Sequence, residues 1–331
     1  MTLMSGRVVT KKTRICLVKK IIVTTTINHP TEAIELFDSA EGFELVVIGD
    51  KKTPTDYKLR RGTYITPDDQ EKRYPRLSQL LGWNCIQRRN IGFLVALEMG
   101  ADIIATVDDD NVPHPNWGRD LLIGRSVPVR QYRCTAAAFD PVGASNYPNL
   151  WHRGFPIQLV AARDYSDHVK TVDTVRIQAD FWDGDPDVDA ICRMIHQPVC
   201  RFDSAAFPFT SRCIAPFNSQ NTFIDFRLMP DYFMFPGIGR MDDIWGAYYL
   251  QAATGVRPVF CHASVVQRRN VHDLTNDFSL EVIGYERTLP LLGSIADDAR
   301  NMFAYLPGAA VAAFLEYQEI ARSLVARRAQ A

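Results

Sequence analysis

Six consecutive β-branched residues, Ile21-Ile22-Val23-Thr24-Thr25-Thr26, leave this chain few options. Such a run is crowded in a helix and has no alternating polar face, so it fits a strand buried on both sides. Ile103-Ile104-Ala105-Thr106-Val107 is a second buried strand, and Glu44–Ile48, stopped by Gly49-Asp50, is a third. Helix signals lie between them. Thr31 is placed to cap a helix over Glu32–Ser39. From Asn84 to Met99 the apolar residues keep a helical rhythm until Gly100. The order strand, helix, strand, loop, helix, strand predicts an α/β fold with a mixed, mostly parallel central sheet flanked by helices.

The rest of the chain reads less uniformly. Lys51 to Gly82 is polar and carries Pro54, Pro67 and Pro75, which predicts a loop-rich stretch. Strands are expected over Val172–Ala179, Asn221–Phe226 and Val256–Cys261. Helices are expected over Asp187–His196 and over Asp242–Ala253, with Gly255 as the stop. From Phe278 to Ala331 the pattern is helical, with breaks at Pro290 and Pro307 and a last Ala-rich segment ending in Arg327-Arg328. The polar, basic residues 1–14 read as a flexible tail. The expected division is a tail over 1–14, a catalytic domain over 15–275 and a helical extension over 276–331 packed on it.

Charge is almost balanced, with 37 Lys+Arg against 38 Asp+Glu, so a broad basic nucleic-acid surface is not expected. No stretch approaches the roughly 18 apolar residues of a membrane span. The first apolar run is cut by Lys19 and Lys20, and no cleavage site follows it, so neither a membrane segment nor a signal peptide is expected. The seven cysteines form no CxxC pair, which suits reduced thiols in a cytoplasmic protein rather than a disulfide framework or a zinc site.

The chemistry concentrates in three acidic groups: Asp108-Asp109-Asp110, Asp183-Gly-Asp-Pro-Asp-Val-Asp189, and Asp242-Asp243. Adjacent carboxylates repel unless a cation or hydrogen-bond donors offset them. The first group directly follows a buried strand, where α/β folds place their ligands. Such oxygen ligands suit Mg²⁺ or Mn²⁺ shared with a substrate's phosphates. No GxxxxGK[ST] loop and no GxGxxG is present, which disfavours P-loop and dinucleotide-binding domains. The first strand ends in Thr26-Ile27-Asn28, without the nucleophilic Asp of an aspartyl-phosphate phosphatase. Nucleotide-sugar and nucleotidyl enzymes remain. The Asp187 and Asp242 carboxylates also fit plain helix capping.

Ala105-Thr-Val-Asp-Asp-Asp-Asn111 resembles the DxD segment of GT-A glycosyltransferases. Further segments resemble the STELLO-type glycosyltransferases and, more distantly, the reversibly glycosylated polypeptides that act as UDP-arabinopyranose mutases. They are Val47–Pro54, Arg88–Gly92, Arg153–Pro156, Gly184–Ala190, Asn218–Thr222, Met241–Trp245 and Gln267–Asn270, in order over about residues 20–275. The resemblance implies a GT-A-like, Rossmann-like fold and a metal-dependent transfer of sugar from a nucleotide-sugar donor, UDP-linked, to an unidentified acceptor.

It also implies roles. Thr26, Asn28, Asp50, Lys52, Arg89, Asp108 and Asp109 would hold the donor. Asp108 and Asp110, with His262 or His272, would hold Mn²⁺ or Mg²⁺. Asp242 or Asp243 would act as base toward the acceptor. Arg153 matches an arginine that the mutases glycosylate, but their second arginine, seven residues on, is Val160 here. A self-glycosylating mutase, a non-catalytic nucleotide-sugar-binding protein and a nucleotidyltransferase are the alternatives. Self-association through the C-terminal helix is a further expectation.

Overall fold

The computed structural model describes residues 18–268 and 273–329. The 1–14 tail and His272 lie outside the described residues. In chain order the elements begin with β1 (Lys20–Thr25), α1 (Glu32–Asp38), β2 (Phe43–Ile48), β3 (Thr63–Ile65), α2 (Pro67–Arg73), α3 (Pro75–Leu81) and α4 (Arg89–Glu98). The sheet continues with β4 (Ile103–Val107), β5 (Asn111–Pro113), β6 (Ser126–Tyr132), β7 (His168–Thr174) and β8 (Ile177–Gly184), followed by α5 (Ala190–His196), β9 (Phe209–Ser211) and β10 (Asn221–Asp225). Then come α6 (Asp242–Thr254), β11 (Val259–Gln267), α7 (Leu274–Ile295) and α8 (Gly308–Ala329).

One mixed sheet runs β3-β2-β1-β4-β10-β8-β11-β9-β6-β7, with β5 paired to β11. The first four strands are mutually parallel. Following the pairings across the sheet, β7, β8 and β11 share their direction, and β5, β6, β9 and β10 oppose it. The carboxyl ends of β1, β2, β4, β8 and β11 therefore meet the amino end of β10 along one edge.

Residue chemistry explains the layers. Ile21 to Thr24 on β1 and all of β4 are buried in the middle of the sheet, and α4 packs against β1. Thr31 caps α1, accepting from the Ile34 amide at 3.2 Å, a contact of about 1 kcal/mol. Arg89 to Leu97 of α4 are all buried, because this helix touches β1 and β2 on one side and α8 on the other. Gly92 permits that approach: a Cβ there would stand 2.4 Å from Val23 Cγ1.

Several expectations are corrected. The stretch from Lys51 to Gly82 contains β3, α2 and α3, because Pro67 and Pro75 occupy first-turn positions where a missing N–H costs nothing. Thr66 and Asp69 close a capping box on α2. The helix expected from Asn84 begins later, with a 3₁₀ turn over Ile86–Arg88, since Asn84 is left-handed at φ 58°. The strand expected over Val172–Ala179 is two strands, broken at Val175-Arg176. Asp189, not Asp187, caps α5. Pro290 does not break α7: it is exposed, as is Glu286, so the carbonyl it leaves unbonded faces water. The strand expected to end at Cys261 runs on to Gln267 through an irregularity after Cys261.

The C-terminal helices pack on the sheet layer. α8 lies against α3 and α4, and the Tyr317 hydroxyl donates to the Met229 carbonyl at 2.9 Å. No helix among the described residues is long and apolar enough to cross a membrane.

Candidate functional site

β4 delivers Asp108-Asp109-Asp110 to the sheet edge just described. The chain turns at Asp109-Asp110, where the Asn111 amide donates to the Asp108 carbonyl at 3.4 Å, and the three carboxylates part accordingly. Asp109 turns toward the end of β1, where its Oδ2 accepts from Thr26 Oγ1 at 2.6 Å and Asn28 Nδ2 at 3.3 Å. Asp108 and Asp110 line a different cleft.

Two adjoining clefts result. The first, about 310 Å³, is lined by Thr26, Asn28, Asp50, Asn84, Ile86 and Asp109 among others. Asp50, buried after β2, accepts from the amides of Lys51 (2.6 Å), Asn84 (2.8 Å) and Cys85 (3.0 Å). The second, about 340 Å³, brings together Asp108, Asp110, Arg153, Asp242 and Asp243. Ile86 lines both. Residues of the first and third acidic groups are thus gathered over a few side chains, although they are far apart in sequence.

Buried cations balance the acids. Arg89, 1% exposed, donates to Asp108 Oδ1 at 2.7 Å and to the Ser219 carbonyl at 2.9 Å. Burial still pushes the Asp108 carboxyl above the usual carboxylate range. Arg153 spans two acids, with Nε to Asp187 Oδ1 at 2.8 Å and Nη1 to Asp243 Oδ1 at 3.1 Å. It also donates to the Arg240 carbonyl. Its pKa lies well above the ordinary value, because the two carboxylates outweigh its burial.

Asp242 and Asp243 open α6, yet they titrate apart. Asp243 accepts from Arg153 and from the Ser219 amide (2.9 Å) and hydroxyl (3.1 Å). These contacts hold it below the usual range despite burial. Asp242 accepts from Gln87 Nε2 at 2.7 Å. Burial, then the neighbouring Asp243, pushes it up to about 7.

α7 closes one wall. Leu280 lines the second cleft, and Arg240 pairs with Glu281 at 2.8 Å and Asp277 at 3.4 Å. Gly239, at φ 60°, lets the backbones meet: a Cβ there would stand 2.0 Å from the Leu280 carbonyl oxygen. The helical extension thus contributes to the site itself.

Some residues stand elsewhere. Arg88, adjacent to Arg89, borders the first cleft but turns its guanidinium away from it, donating to Gln70, Ser78 and Gly82 and stacking on Trp83 at 3.7 Å. It ties α2 and α3 together and does not pair with the acids. Lys52 is exposed and lines neither cleft. His262 is half-buried on β11 beside Asp180. Gln267, at the site edge, is five positions further along β11, at most roughly 16 Å of strand. Gln87 and Ser219 donate to Asp242 and Asp243, and Asp187 holds Arg153, roles that sequence reasoning did not give them. Ser219 lies in a segment singled out for resemblance, which was its signal.

A divalent cation can be tested against this donor set. Among the described residues no three His, Cys, Asp or Glu side chains form a metal-binding group. Asp108, which is paired with Arg89, and Asp110 line one cleft and would offer two hard carboxylate ligands. That number suits Mg²⁺ or Mn²⁺ completed by a ligand's phosphates and does not suit a dedicated protein cage.

No family model matches the chain. Over 223 residues, 62% of the chain, it is 26% identical to "Probable glycosyltransferase STELLO2" of Arabidopsis thaliana. It is 25% identical over the same length to "Probable glycosyltransferase STELLO1" of that organism. The match covers 29% of each relative, so the chain spans less than a third of the length of these curated proteins. A crystal structure of a mycobacterial protein overlaps 89% of this chain and 77% of its own at a TM-score of 0.40 and 13% identity, too remote to bear on function. The resemblance to STELLO-type glycosyltransferases read from the motifs is therefore matched by sequence similarity over most of the chain.

Proposed function

We propose that this chain is a glycosyltransferase that takes sugar from a nucleotide-sugar donor, UDP-linked, and passes it to an acceptor hydroxyl. The observation that carries the reading is the pair of adjoining clefts at the ends of β1, β2 and β4. One holds Thr26, Asn28, Asp50 and Asp109, which suit a nucleoside's hydroxyl and amide groups. The other holds Asp108, Asp110, Asp242 and Asp243. The named relatives support transfer of a sugar.

Asp108 and Asp110 would share Mg²⁺ or Mn²⁺ with the donor diphosphate, and the cation would offset charge on the departing phosphate. In the transfer the bond from the sugar's anomeric carbon to the phosphate oxygen breaks and a bond to the acceptor oxygen forms. The acceptor proton needs a base. Asp242 is the better suited of the two carboxylates, since a pKa of about 7 matches neutral working pH. Asp243 is committed to Arg153 and Ser219 and serves as a fixed counter-ion that positions the loop.

The same geometry argues against glycosylation of Arg153. A guanidinium held by two buried carboxylates is a charged, poor nucleophile. We assign it to holding Asp187 and Asp243. Incubation with UDP-glucose followed by intact-mass measurement separates the readings: transfer or hydrolysis of the donor that is lost in Asp242→Asn supports the transferase, and a sugar adduct on Arg153 supports self-glycosylation. Donor binding without turnover would favour a non-catalytic binding protein.

A further inference from the structure

The fold brings together two cysteines that lie 79 positions apart. β6 and β9 run parallel, with Tyr132 opposite Ser211, and the Arg212 amide donates to the Tyr132 carbonyl at 3.1 Å. Two residues beyond that pair, past the ends of both strands, stand Cys134 and Cys213. The sulfurs converge: the Cys213 thiol lies 3.2 Å and the Cys134 thiol 3.7 Å from the Ala136 carbonyl oxygen. Cys213 also donates to the Cys134 carbonyl at 2.9 Å.

The two thiols differ in character. Contact with the Cys213 thiol favours the Cys134 thiolate and lowers its pKa, while the same contact and burial raise that of Cys213. Cys85, Cys192, Cys200 and Cys261 are all raised, chiefly by burial. Cys134 is therefore the described cysteine best able to attack. It is half-buried and lines a small cavity of about 80 Å³ with Arg133 and Arg163 on its wall.

We propose that Cys134 and Cys213 are a modification site, a thiol pair that closes to a disulfide on meeting a low-molecular-weight disulfide such as oxidised glutathione. The Cys134 thiolate attacks one glutathione sulfur, the glutathione disulfide bond breaks, and one glutathione thiolate leaves. Cys213 then loses its proton and attacks the Cys134 sulfur, expelling the second glutathione. Two protein thiols are oxidised, and one glutathione disulfide is reduced to two glutathione thiols. The bridge would pin the end of β6 to the end of β9.

The test equilibrates the full chain with oxidised glutathione at mildly alkaline pH, then alkylates free thiols under denaturing conditions. Mass spectrometry should find alkylation two short of the seven cysteines and a linked peptide joining Cys134 to Cys213. The Cys213→Ser protein should retain one glutathione on Cys134. Seven alkylated cysteines, or a bridge between any other pair, overturns the proposal. So does a Cys213→Ser protein that carries no glutathione on Cys134. The experiment uses neither donor nor acceptor, so its outcome is independent of the transferase reading.

Discussion

Asp242 and Asp243 are consecutive residues in the first turn of one helix, yet Asp242 is pushed up to about 7 while Asp243 is held below the usual carboxylate range. Arg153 and Ser219 account for the difference, since both bind Asp243. Two carboxylates with separated pKa values are what a site needs to keep one charged and let the other exchange a proton.

This split makes stability depend on pH. Native Asp242 keeps a proton that the unfolded chain releases near pH 4, so it costs stability as pH rises from about 4 to about 7. Asp242→Asn removes that cost. Thermal unfolding should show the variant more stable than wild type above pH 7, by about 1–4 kcal/mol, with the gap closing below pH 4. The comparison isolates Asp242 from Asp189, which is also pushed up to about 7. Transfer activity should be lost in the same variant. A variant that is less stable at high pH would contradict the assignment.

Arg153 is the cation on which two buried acids depend. Arg153→Met should destabilise the chain by about 3–5 kcal/mol in urea unfolding, because Asp187 and Asp243 are left buried and uncompensated. Arg153→Lys should recover only part of this, since an ammonium cannot span both carboxylates as the guanidinium does. An Arg153→Met protein as stable as wild type would show that the network is not needed to hold the site.

Thr26 reaches Asp109 at 2.6 Å. Thr26→Val keeps the β-branched shape and removes the hydroxyl. Loss of this internal hydrogen bond to a charged group should lower stability by about 1–3 kcal/mol, read as a fall in Tm, and donor affinity measured by calorimetry should fall as well, because Asp109 is no longer held at the first cleft. Unchanged affinity would place the nucleoside outside the first cleft.

Much of this was legible in the sequence, for identifiable reasons. β4 is legible to its end residues because Ile103–Val107 carries no charge, is apolar but for Thr106, and stops at aspartates. The α2–α3 region was not, because proline was read as a breaker, whereas here it starts two helices. Arg88 and Arg89 are chemically identical neighbours. Only the helix direction decides that one meets Gln70 and Ser78 and the other meets Asp108. His262 stands short of the strand's end because β11 extends past Cys261 after an irregularity that the sequence pattern does not signal. Gln87 and Asp187 act through contacts 155 and 34 positions away, to Asp242 and Arg153. No local pattern encodes such pairings.

The central claim is that Asp108 and Asp110 form, with a divalent cation, the diphosphate end of a nucleotide-sugar site. Its most direct test is calorimetric titration of UDP and UDP-glucose into the chain with and without Mn²⁺. The account predicts binding that Mn²⁺ strengthens and that Asp108→Asn and Asp110→Asn each weaken, with both variants still folded by circular dichroism. No binding of either ligand, or binding indifferent to Mn²⁺ and to both substitutions, would contradict it.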